Sequence, residues 1–297
     1  MTIATGNFAE LLWPGIHDIW GHAYNDYEPL YKKVYEVKKS DKTFEKEQGV
    51  TGMPLASVKQ QGQSVNYVDP YQGYQREYVN VTYAIGGTVT KEMFTDEQYG
   101  YINKLPAMLA RSMRQTEETL GWNQFNNGFS TAVSADGLSI LNSAHTLVAG
   151  GTFSNILATP ADLTQTSLET LSAQILDAVD DQGLRIRLLP RALVVATANN
   201  YTARKLMESP NVVGKADNDI NPMMGQFRDV IVSPWLTDAD AWFIVTDCDN
   251  GMVWYQRWAA ELERDNEFDT KNLKFTLTNR FSLGNTDPRG VYGTAGA

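Results

Sequence analysis

Along the first 35 residues the large side chains form a row. Trp13, Trp20, Tyr24, Tyr27, Tyr31 and Tyr35 recur about three, four or seven apart, which is the period of one helical face. The spacing predicts an aromatic helix interrupted at Pro29, packed on the protein's own core or lying as an arm against a neighbouring subunit. From 45 to 92 the pattern reverses: Gly49, Gly52, Gly62, Gly73, Gly86 and Gly87 appear with few aliphatics before position 79. Then comes "VNVTYAI", where Val79, Val81, Tyr83 and Ile85 alternate as in a half-buried strand. A pairing strand is expected near 41–50, with the Gln- and Gly-rich "SVKQQGQSVNYVDPYQGYQ" between them. A two-stranded ribbon is marginal alone in water, so this one is a flap or an extension that orders against other subunits. Removing 55–75 is expected to leave a folded subunit that no longer assembles.

Thr95 and Gln98 fit a capping box, and Ile102, Leu105, Leu109, Met113 and Leu120 follow at helical spacing. They predict a helix over 96–126, kinked or split at Pro106. A second capping box, Thr166 with Glu169, opens a helix that carries Leu168, Leu171, Ile175 and Val179 on one face and stops at Gly183. "RALVVATA" (191–198) then reads as a buried strand, 199–209 as a short helix and 229–236 as another strand, an α/β layer. Asn250-Gly251 between two apolar runs predicts a hairpin. "LKFTLTNRFSL" (273–283) alternates and belongs to a sheet distant from residue 200.

Composition narrows the class. In 297 residues, 42% are hydrophobic and 20% charged, a globular balance. Lys plus Arg number 25 against 35 for Asp plus Glu, a net charge of -10 that repels phosphate and argues against a sequence-reading nucleic-acid binder. Cys248 is the single cysteine, so no intrachain disulfide can form. The first twenty residues show neither a basic stretch nor an unbroken apolar run, so folding inside a cell, without a membrane, is the expectation.

Catalysis has one foothold. In "DGLSILNSAHTLVAGG" (136–151), His145 lies two residues after Ser143 and nine after Asp136, as a hydrolase triad might be written. A nucleophile elbow needs G-x-S-x-G, which is absent, and residues two apart share a face only in a strand. The stretch therefore reads as a connector, with Asp136-Gly137 a turn and His145 a hydrogen-bonding or packing residue. His17 and His22 miss the four-residue spacing of a helical zinc pair. "DCDNGM" (247–252) misplaces the glycine of a calcium loop and puts Trp258 at its twelfth position. Neither metal nor cofactor is expected. Glu261, Glu263, Asp265, Glu267 and Asp269 read as a solvated face or an inter-subunit charge partner, not as general acid and base.

Three stretches together resemble one family. "DGLSILNSAHTLVAGGTFSN" (136–155), "LRIRLLPRALVVATANNYTARKLMES" (184–209) and "DVIVSPWLTDADAWFIV" (229–245) are similar to segments of the phage Mu type of major head subunit. The resemblance implies an α+β, Hong Kong 97-type capsid fold: an N-terminal arm, an extended E-loop β-hairpin, a peripheral domain with a long spine helix, and an axial α/β domain. Mapped onto this chain, these are the arm at 1–40, the E-loop and flanking strands at 41–94, the peripheral domain at 95–160 and the axial domain at 161–250, with return strands and the C-terminus at 251–297. The implied partners are further copies of the chain in hexamers and pentamers, a scaffolding protein, a portal at one vertex, a decoration protein, and packaged double-stranded DNA touched weakly. The implied setting is the virion, assembled in the bacterial cytoplasm. Trp13, Trp20, Tyr24, Lys59, Tyr67, Tyr71 and Tyr74 are the candidate inter-subunit contacts.

The rivals are another self-assembling shell, encapsulin-like, and a serine hydrolase using Ser143 and His145. An esterase or peptidase activity lost in Ser143→Ala would establish the hydrolase.

Overall fold

The computed structural model describes residues 9–26, 28–96, 101–212, 219–267 and 272–297, without the side chains of 9–16, 91, 94, 95 and 101–103. Helix α1 (Ala9–Tyr24) stops before Pro29, and one turn, α2 (Tyr31–Val34), follows it, as the proline requires. After β1 (Glu36–Lys39), β2 (Phe44–Val50) and β3 (Gln72–Val79) form an antiparallel ribbon. Strand β4 (Val81–Val89), short helix α3 (Lys91–Asp96) and the long α4 (Tyr101–Asn126) come next. The expected Thr95–Gln98 capping box lies outside the described residues. Pro106 sits in the second turn of α4, and the helix runs on through it unsplit, since a proline that early removes only one backbone bond. At its 26 residues, α4 is about 39 Å long.

A two-residue pair, β5 (His145–Thr146) with β6 (Thr152–Phe153), precedes α5 (Gln165–Leu176). The cap of α5 lies two residues before the expected one. Thr164 Oγ1 accepts from the Ser167 amide, and Ser167 Oγ accepts from the Thr164 amide. Glu169 instead accepts from Gln165 at 2.8 Å, and Gly183 (φ +78°) serves a separate turn after the helix has ended at Leu176. The rest of the chain supplies β7 (Pro190–Ala196), α6 (Asn200–Glu208), β8 (Asp229–Ser233), β9 (Trp242–Thr246), β10 (Met252–Asn266), β11 (Leu273–Asn285) and β12 (Val291–Thr294).

Two four-stranded sheets result, ordered β1-β10-β11-β4 and β12-β9-β7-β8. In the second sheet, Leu193, Val195, Trp242 and Ile244 face α5 and α6, while Val194, Phe243 and Val245 face the C-terminal part of α4. Both faces are thus covered, which is why "RALVVATA" reads as an unbroken apolar run. Between the sheets, Trp254 is fully buried, with Tyr31 stacked at 4.2 Å on one side and Phe281 at 4.3 Å on the other. A third cluster packs Leu109 and Met113 of α4 against Phe275 and Leu277, with Trp20 and Tyr24 at its margin.

Two expected pairings change. The 41–50 strand pairs not with 79–85 but with 72–79, part of the stretch read as a structureless connection. Strand β4 pairs with β11. Buried Asn80 separates the two uses of the chain: its amide donates to the Thr43 carbonyl and its side chain bonds Ser40, Lys42 and Ser282. Asn250-Gly251 does form a turn, with Asn250 at φ 58°. The turn is a corner between sheets and not a hairpin, since β9 and β10 lie in different sheets. Its carbonyl accepts the Thr286 and Asp287 amides, and Gly251 is so close to Gly290 that a Cβ on Gly251 would meet Gly290 Cα at 2.6 Å.

Gly290→Ala is therefore expected to destabilise the subunit by about 1–3 kcal/mol through overpacking. Gly21→Ala, with open space around it, should keep or gain stability; urea denaturation of both variants checks the contrast.

Candidate functional site

The loop that suggested a triad keeps its aspartate and histidine together and turns the serine away. Asp136-Gly137 forms the expected turn, with Gly137 at φ +80° and the Gly137 amide donating to Ser134. His145, on β5, is fully buried and stacks on Phe153 of β6, with ring centroids 5.2 Å apart. Its Nδ1 lies 2.6 Å from Asp136 Oδ2, and its Nε2 lies 3.2 Å from the Ile140 carbonyl. Ser143 is exposed. Both ring nitrogens face acceptors within the loop, so the base a serine nucleophile needs is spent on structure. Burial alone would raise the Asp136 carboxyl, but the His145 ring and the Leu138 amide outweigh it and hold it below the usual range.

Around this pair, buried polar side chains join the loop to both sheets. Asn155 Nδ2 faces the carbonyls of Ile140, Pro288 and Val291. Asn285 donates to the Gly251 and Asp287 carbonyls and accepts from Ser134. Arg289 reaches the Val179 carbonyl, Asp181 and Asp287. None of these residues stood out in the sequence, because a single buried Asn or Arg leaves no periodic signal.

The strands of the ribbon are fastened to the same junction. Glu47 accepts from Lys38 at 2.8 Å, from Tyr255 and from Thr286. Arg76 donates to the Val133 and Asn285 carbonyls, and Tyr78 bonds Thr286. Beyond Gly52 the chain is exposed through to Tyr71. That tip carries Leu55, Val58 (93% exposed), Val65 and Tyr67 (89%), an apolar load that a free ribbon has no reason to bear.

The candidate contacts divide accordingly. Lys59, Tyr67 and Tyr71 lie on the exposed tip, whereas Tyr74 bonds the chain's own Thr146 at 2.7 Å. Trp20 stacks on Tyr24, whose hydroxyl donates to Glu117 of α4 and whose ring lies 3.8 Å from the Arg114 guanidinium carbon. The Trp13 side chain lies outside the described residues. On β10, Glu261, Glu263 and Asp265 are exposed as a solvated face requires; Asp269 lies outside the described residues.

A helix-backed pair of sheets, a rigid junction and a projecting apolar ribbon define a subunit built to contact other protein surfaces over a wide area. The comparisons name the class. Residues 74–294 match the phage capsid protein family, and the chain belongs to that family. The fold is that of phage capsids. The capsid of cyanophage P-SCSP1u aligns with a TM-score of 0.60 and 9% identity over 91% of this chain and 88% of that one. The capsid of the native GTA particle gives 0.59 and 13%, covering 91% of each chain. A virus-like particle from Pyrococcus furiosus gives 0.55 and 10% over 93% and 96%. No curated protein matches the chain in sequence. The protein is a shell-forming capsid subunit, a structural role.

His145→Ala would leave the Asp136 carboxylate buried without its partner, and a loss of about 3–5 kcal/mol is expected, while Ser143→Ala should melt like the parent. The folded state holds the Asp136 pKa below its unfolded value. Its contribution is complete at neutral pH and disappears as the solution is acidified through the carboxylate range. In Asp136→Asn the acid limb of stability against pH, followed by denaturant titration, should be shallower.

Proposed function

We propose that the chain is a major head subunit of the phage Mu type, closing an icosahedral shell around the double-stranded DNA of a tailed phage or prophage. The observation that carries this is the ribbon, pinned at its base by Glu47 and Arg76 and exposed over an apolar tip. Such a tip is satisfied when it lies on a neighbour, and closed symmetric assembly removes exposed strands from solvent. In this reading 1–40 is the arm, 41–94 the E-loop with its flanking strands, 95–160 the peripheral domain and 161–250 the axial domain. Residues 251–297 return to the peripheral sheet before β12 rejoins the axial one. Lys59, Tyr67 and Tyr71 make the inter-subunit contacts in hexamers and pentamers. A separate scaffolding protein guides assembly in the bacterial cytoplasm, a portal occupies one vertex, and a decoration protein binds outside. DNA is held loosely, because a shell of charge -10 per subunit attracts phosphate poorly.

An encapsulin-like shell is the second reading, favoured by the likeness to the Pyrococcus furiosus virus-like particle. Packaged DNA in purified particles separates the two.

Deleting 55–75 would cut into β3, which starts at Gln72, so the informative deletion is 53–70. That variant should keep its melting transition and stay monomeric where the parent, with scaffold, forms shells under the electron microscope. An unfolded variant, or one that still closes shells, would overturn the ribbon's role.

A further inference from the structure

The two outer edges of the first sheet are treated differently. On one side β1 covers β10 only from Val253 to Gln256. Beyond it β10 breaks register at Trp258 and again before Glu261, and Glu261, Glu263 and Asp265 then stand exposed. Bulges and charges are the guards that keep an edge from pairing with another chain. On the other side lies β4, "VTYAIGGTV", nine residues with no charge, no proline and an unbroken register against β11. Among the described residues its backbone bonds to β11 alone. A long edge without guards is a template for a further strand.

We propose that this edge pairs with the same edge of a second copy of the chain, antiparallel across a twofold axis, so that two four-stranded sheets become one. The contact rests on the shell-forming role and lies outside the ribbon. A twofold through Ile85 sets position 81 opposite 89, 82 opposite 88, 83 opposite 87 and 84 opposite 86. Large residues then meet small ones. Tyr83 lies across from Gly87, Ala84 from Gly86, and Thr82 from Thr88, a favourable hydroxyl pair. Tyr83 is already held flat by its stack on Phe281, with ring centroids 4.7 Å apart, and an aromatic ring laid over an edge glycine supplies the side-chain cover that the glycine lacks.

Charge selects this occupant. When β4 meets itself no like charges come together, whereas two β10 edges would set their carboxylates against one another. The ribbon strands are charged as well, with Glu45, Lys46 and Glu47 on β2 and Arg76 and Glu77 on β3. Laid along β4 they would find no counter-charge. A self-complementary patch repeated on both partners is the commonest contact between identical chains.

Paired cysteines test the register. Opposed residues of antiparallel strands lie about 4.5–5.5 Å apart between Cα atoms, within reach of a disulfide. Thr82→Cys with Thr88→Cys, in a Cys248→Ala background, should give covalent dimers when assembled shells are mildly oxidised, with position 82 of one copy joined to 88 of the other in the peptide map. Either single variant should stay monomeric on a denaturing gel. Charge tests the strength of the contact. Both threonines are exposed, so their replacement should leave the melting transition unchanged. Thr82→Glu with Thr88→Glu sets like charges across the twofold and should cut the yield of shells formed with scaffold at least about tenfold, and Thr82→Glu with Thr88→Lys should restore it. Normal shells from the double glutamate variant, or shells in which the cysteines join another segment or none, overturn the pairing and leave the ribbon's role intact. A parent chain that forms no shells overturns the shell-forming role and this contact with it.

Discussion

The structure depends on satisfying backbone groups where the chain changes sheets. Ladder hydrogen bonds end at Asn285 and Thr246, yet the carbonyls around them stay buried, and a buried carbonyl without a donor is costly. Asn155, Asn285 and Arg289 supply the missing donors from positions that are almost wholly buried. The Gly251–Gly290 contact exists because these side chains bring two backbones together where no Cβ fits. Ribbon, connector loop and both sheets take their positions from this junction, through Thr286 and Asn285 on one side and Arg289 on the other.

His145 belongs to the same logic. Two residues of β5 could not hold a loop against the core by ladder bonds alone, so a hydrogen bond with Asp136 and a stack on Phe153 fix it. The ribbon receives the opposite treatment. Glu47, Arg76 and Tyr78 hold its base with directional bonds, and among the described residues nothing covers Leu55, Val58 or Tyr67. In the proposed assembly role, a strand pair tethered this way costs little conformational freedom until a neighbour's surface orders it, and covering the tip contributes at that step.

Elements with a clear period were legible in the sequence. The core row Leu109, Met113 and Leu120 located the long helix, and "RALVVATA" located a strand covered on both faces. Partners were not legible. Asn250-Gly251 carries the local preference for a tight turn, but that preference says nothing about whether the flanking strands pair, and here each found a better-packed neighbour in its own sheet. The ribbon strand 72–79 was hidden because its inward residues are polar or glycine, leaving only Tyr78 buried. The capping box slipped by two because Thr164 and Thr166 both offer a hydroxyl, and only packing of Leu168 and Leu171 selects the first turn. His145 with Asp136 was visible as a pair, but its structural use required knowing where the Ile140 carbonyl lies.

The packing of α1 on α4 shows how polar burial sets position. Glu117 and Glu118 of α4 are both buried, with a single guanidinium, Arg114, between them and the arm. Burial raises both carboxyls, opposed at Glu117 by Arg114, Tyr24 and Asn279, and at Glu118 by Trp122 and the backbone amides of Leu30 and Tyr31. Arg114 in turn donates to the Tyr24 carbonyl at 2.9 Å. Desolvating such a cluster offsets much of its attraction. A shift of α1 by one residue would nevertheless strand a charge in the interior at about 3–5 kcal/mol. The charges cannot tolerate that shift, so α1 meets α4 in one register.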